Sequence, residues 1–134
     1  MLRTPQYIYN GWFYSGGGDW VSTSHFESQP IEHPSQTPVL TDGVWVDAWP
    51  LATDPANTDL YTGPDVNNGL CRICIDRHGG IPASQAPRKF SFGRPLPGGI
   101  NMVLVDGHVE LAKLEMLWRY YWSHGYVPPA TRPR

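Results

Sequence analysis

Cys71 and Cys74 stand in a C-x-x-C arrangement shortly before His78, and Asp106-Gly107-His108 follows further along the chain. C-x-x-C marks redox pairs or half of a zinc site. A four-ligand zinc centre would need two further ligands, for which His78, His108 and His124 are the scattered candidates. If the segment is a strand, the two thiols point to opposite faces. Free thiols are then expected, with an exported disulfide as the rival, and that disulfide would require a turn. Cys74, His78 and Asp106 also supply the residue types of a nucleophile, base and orienter. A small hydrolase or metalloprotein built on these residues and His108 is therefore one reading. The chain contains no Gly-x-Ser-x-Gly elbow, no His-Glu-x-x-His and no phosphate-cradling glycine loop. An enzyme is not expected on that ground.

Two Asp-Gly pairs, Asp42-Gly43 and Asp106-Gly107, could place loop carboxylates around calcium, with Asp47 as a third ligand and Asp54, Asp59 and Asp65 nearby. Asp-Gly is also what a tight hairpin turn prefers, and no Asp-x-Asp-x-Asp loop is present. Trp20 and Trp49 are each flanked by loop residues, and Tyr61 sits within the polar loop over 50–69. Flat rings with a polar edge there would suit an extracellular glycan or peptide.

These residues must be positioned by short strands and long loops. Fourteen Pro and fourteen Gly in 134 residues break helices and set turns. Residues 7–14 read as a strand. Pro38 to Asp47 reads as a hairpin about Asp42-Gly43, and Ile100 to Leu111 as a second hairpin about Asp106-Gly107. Leu70 to Gly80 alternates well enough for one more strand. Residues 49–69 and 81–98 are long loops, and a short helical turn is expected near Ile31. The spacing of apolar residues predicts one C-terminal helix over about 111–122, followed by an extended, exposed tail over 127–134. The expected fold is α+β and β-rich: one small antiparallel sheet of hairpins with long Pro/Gly loops, in a single domain over 1–134.

Several segments together resemble the prepilin-type, processing-associated proteins of planctomycetes and verrucomicrobia. They are Arg77-His78-Gly79-Gly80, Gly99 to Val109 with its Asp106-Gly107, Tyr9-Asn10-Gly11-Trp12, Thr41-Asp42-Gly43-Val44-Trp45, and the closing Leu117 to Pro129. In that family nine residues separate the motif histidine from its Asp-Gly, whereas here 27 separate His78 from Asp106. The resemblance implies a non-enzymatic, pseudopilin-like headpiece, outside the cytoplasm, that takes part in filament assembly or secretion. It implies self-association or pilin-like subunits as partners, and calcium as the one cofactor to consider. The family's N-terminal hydrophobic helix has no counterpart in these residues, so the sequence is expected to be a headpiece separated from it.

Charge is sparse, and the formal net charge of -2 gives no footprint for nucleic acid. No run of about eighteen apolar residues is present, so direct membrane insertion is not expected.

Overall fold

The computed structural model describes residues 6–15, 22–27 and 29–134. Five strands form one mixed sheet in the order β3-β1-β2-β4-β5. They are β1 (Gln6–Asn10), β2 (Pro38–Gly43), β3 (Asp47–Ala48), β4 (Gly99–Leu104) and β5 (Val109–Lys113). The helical turns among the described residues are all short 3₁₀ segments, so the fold is β-rich as the loop-forming composition requires. One face of the sheet carries Ile8, Ile100, Met102, Leu104 and Ala112. These pack against Leu60, Leu70, Ile73, Ile75, Leu114, Leu117, Trp118 and Trp122 in one contiguous core.

The second hairpin forms as expected, with β4 and β5 antiparallel from Gly99↔Lys113 to Val103↔Val109. Gly107 supplies the positive φ (93°) that its turn requires. The first hairpin does not form. Strand β2 runs straight through Asp42-Gly43 and pairs antiparallel with β1 and β4, while Asp47–Ala48 crosses to pair with β1 in parallel. Gly43 is there for close approach: a Cβ on it would lie 1.8 Å from Cγ1 of Ile8. Residues 44–46 form a bend, so Trp45 does not alternate with its neighbours across a sheet.

Leu70 to Gly80 is likewise no strand. It opens as a 3₁₀ turn over Leu70–Arg72 and rejoins the sheet only at an isolated bridge, His78↔Gly99. Side-chain amides replace the ladder: Asn57 donates to the carbonyls of both Cys71 and Cys74 at 2.8 Å, and Asp54 accepts from the Leu70 amide at 2.9 Å.

The C-terminal helix is shorter than the apolar spacing suggests. Leu111 to Lys113 belong to β5, and a six-residue 3₁₀ helix, Leu114–Arg119, follows. Pairing with β4 claims the first residues, and six are too few for a cooperative α-helix. The turn expected near Ile31 lies instead at Pro34–Gln36. The tail is not free: the Arg132 side chain is 8% exposed and its guanidinium grips Glu115.

Residues 81–98 form a closed excursion. His78 and Gly99 exchange two backbone hydrogen bonds, of 2.7 and 2.9 Å, at its neck. Gly80 and Gly98 lie side by side there, so that a Cβ on Gly80 would meet the Gly98 Cα at 3.9 Å. Leu96 and Ala86 from this loop are buried, and Phe90 donates its amide to Thr58.

Candidate functional site

The features that sequence singles out converge on β4 and its two neighbours. At the tip of the β4–β5 hairpin, Asp106 accepts from the His108 amide at 3.1 Å and from its ring Nδ1 side. The other ring nitrogen lies 3.0 Å from Glu110, whose second oxygen accepts from the Tyr120 hydroxyl. His108 is thus clamped between two carboxylates. Its pKa is raised, first by Glu110 and then by Asp106. Asp106 is held low chiefly by the His108 amide and Glu110 chiefly by the Tyr120 hydroxyl. With both ring nitrogens engaged, the cluster fastens the hairpin to the 3₁₀ segment and offers no vacant base.

His78 sits at the opposite end of β4 from Asp106. Six residues of strand at about 3.3 Å each separate these ends by roughly 20 Å. Beyond Gly43, His78 takes the place of β2 beside β4, and its Nε2 lies 3.1 Å from Asp42. The same Asp42 carboxylate accepts from the Asn101 amide at 2.8 Å, stitching β2, β4 and the His78 segment together. Next to it Asp76 is buried with neither carboxylate oxygen hydrogen-bonded, pressed under Gly98. Burial raises the Asp76 pKa and the nearby His78 charge lowers it.

The proposed nucleophile, base and orienter are therefore not assembled. Cys74 is fully buried and burial pushes its thiol up to about 12, while His78 faces Asp42 and Asp106 faces His108. Cys71 and Cys74 are both free thiols on one buried turn. The three carboxylates considered for calcium lie apart in their bonding. Asp42 is with His78, Asp106 is with His108, and Asp47 shares Arg72 with Asp65. Among the described residues no three His, Cys, Asp or Glu side chains are grouped to hold a metal ion. Of the aromatic candidates, Trp20 lies outside the described residues. The Trp49 ring rests on Gly11, where a Cβ would be 2.3 Å from it. Tyr61 is covered by the Arg88 guanidinium at 4.0 Å. Asp54, deep in the same loop, caps the Leu51 and Leu70 amides.

Among the described residues, what the sheet leaves open is its outer face. The strand registers place Tyr9, Leu40, Val103 and Val109 in one row across four strands. A second row runs Tyr7, Asp42, Asn101, Leu111. Tyr7 is 71% exposed, Val109 64%, Leu111 50% and Leu40 38%. Tyr7, Leu40, Val103 and Val109 border a shallow cavity of about 460 Å³.

No family model matches the chain, and no curated protein or solved structure matches it either.

The open face was missed by the motif reading, although β4 carries its signature. Met102-Val103-Leu104-Val105 is apolar without alternation, as in strands covered on both faces. Here, among the described residues, only one face is covered. No comparable signal announces the clamp on His108, because Tyr120 reaches Glu110 from a segment that the apolar spacing assigns to a longer helix.

Proposed function

We propose that this chain is a non-enzymatic, pseudopilin-like headpiece acting outside the cytoplasm as a subunit in filament assembly or secretion, with the open face of its sheet as the assembly surface. The observation that carries the reading is the apolar row Tyr9, Leu40, Val103, Val109, extended by Tyr7 and Leu111. An apolar face left open on one side of a sheet is characteristic of a surface that meets another chain. Assembly needs no constellation of reactive groups, which accords with Cys74, His78 and Asp106 each being committed elsewhere.

The family resemblance gains support from the neck of the 81–98 loop. Those residues number 18, and without them nine residues would stand between His78 and Asp106, the family's spacing. The loop's two ends come close at Gly80 and Gly98, so the shorter spacing is sterically available around the same His78↔Gly99 bridge.

Sedimentation of the wild-type chain beside Leu40→Glu and Val109→Glu tests the reading. Wild type is expected to associate with itself or with a pilin-like subunit, and both variants are expected to lose that association while keeping the wild-type melting temperature. A wild-type chain that stays monomeric at about 1 mM, where a standard affinity of roughly -4 kcal/mol would register, and binds no pilin-like subunit would sink it.

A further inference from the structure

A second built surface lies on the far side of the C-terminal 3₁₀ helix. The 81–98 loop, the 3₁₀ helix and the tail together line a half-open cavity of about 340 Å³, in the range of small-ligand sites. Four arginines line it: Arg94 from the loop, Arg119 from the helix, and Arg132 and Arg134 from the tail. Its one acidic lining residue is Glu115, and that carboxylate is spent. It accepts from Arg132 Nε through both oxygens, at 2.9 and 3.0 Å, and from the Leu96 amide at 2.8 Å. Arg132 Nη2 donates to the carbonyls of Arg94 and Phe92, which fixes the buried guanidinium in place.

Two consequences follow for charge. Glu115 neutralises Arg132 alone, and Arg94, Arg119 and Arg134 enter no ion pair among the described residues. Among the described residues, the Arg94 and Arg119 side chains therefore bring positive charge to the cavity that no carboxylate pairs with. In addition, Nη1 of Arg132, on a side chain that is itself nine-tenths buried, has no hydrogen-bond acceptor. The wall beside the arginines is apolar, formed in part by Phe92 and Met116.

We propose that this cavity binds a small organic oxyanion, a phosphate or sulfate monoester. Arg94 and Arg119 take the anionic head, and the organic body lies on the Phe92 side. Guanidinium forks match tetrahedral and carboxylate oxyanions through paired N–H donors, and a preformed Arg132–Glu115 anchor lowers the ordering cost of binding. The site is made by the 81–98 loop and the tail, so it is independent of the sheet's open face and of the assembly reading.

The test is an NMR titration of the full chain at low ionic strength, following arginine Nε–H and tryptophan indole signals. The probes are glucose 6-phosphate, inorganic phosphate and glucose. Saturable shifts of the cavity signals are expected with glucose 6-phosphate below about 10 mM, at least tenfold weaker binding of inorganic phosphate, and none of glucose. An Arg94→Gln/Arg119→Gln double variant is expected to lose at least tenfold in affinity. Arg88→Gln, which alters a cation outside the cavity, is expected to leave it unchanged. Absence of saturable shifts overturns the proposal, as does equal binding of glucose 6-phosphate and inorganic phosphate, or binding that survives the double variant in a folded protein.

Discussion

His108 shows how a single side chain can hold a turn through its charge. The ring is exposed, yet it bridges Asp106 at the hairpin tip to Glu110 on β5, and Glu110 carries the link to Tyr120. A histidine whose folded pKa is raised contributes stability that is complete below its unfolded pKa and is lost as pH rises through the folded value. The two carboxylates, held low, contribute stability that is present above their unfolded values and is lost as pH falls. With ordinary values of 6.5 for the ring and 4.5 for Glu110, the clamp is at full strength between about pH 4.5 and 6.5. We therefore expect His108→Gln to lower the melting temperature more at pH 5.5 than at pH 8.5. A deficit that does not change with pH in thermal melts would rule the clamp out.

At this scale the sequence is uneven. Asp106-Gly107 announces its turn, because that pair has a strong local preference. The partner of His78 cannot be read, because Asp42 reaches it only through the register of β2 on β4. Arg132 is similarly hidden, since its grip on Glu115 joins residues from a tail and a helix that local spacing treats as unrelated.

Elements show the same division. The β4–β5 hairpin was legible because its turn and strands are contiguous. The run Leu70 to Asp76 was not, because continuous burial looks the same in a strand and in a loop whose amides are satisfied by Asp54 and Asn57. Asp42-Gly43 misled for a related reason: glycine serves both a turn and a close crossing, and only the neighbour Ile8 decides between them. Two glycines separate these roles experimentally. Gly107 has a φ of 93° with nothing within 4 Å of a Cβ, so Gly107→Ala should cost about 1 kcal/mol of backbone strain alone. Gly98 combines a φ of 70° with a Cβ position 1.8 Å from an Asp76 oxygen, so Gly98→Ala should cost about 2 to 4 kcal/mol. Adding Asp76→Ala to Gly98→Ala should recover part of that loss in urea denaturation. Equal costs at the two glycines would contradict the packing described around Asp76.

For the molecule as a whole, one sheet face builds the core and the other stays open, while a loop and a tail add a basic cavity at the side. The β-rich class was legible from glycine, proline and short apolar runs. The crossing of Asp47–Ala48 to a parallel place beside β1 was not, since nothing local specifies which edge a two-residue strand will join. Removing residues 81–98 and joining Gly80 to Gly99 is expected to leave the β4–β5 cross-strand contacts intact in NMR spectra. The same deletion should lower the melting temperature, because Ala86 and Leu96 leave the core, and should abolish binding of glucose 6-phosphate. Loss of the hairpin signals would mean that the loop is part of the sheet's framework.

The closely spaced glycines at that loop's neck also make the sheet a tolerant host. A segment whose two ends already meet asks its surroundings only for a doorway one bridge wide, which His78 and Gly99 supply. Each doubling of the length admitted there adds only about 0.6 kcal/mol of closure cost. Related chains can therefore differ greatly in what they carry at this doorway, while the strands behind it keep their register.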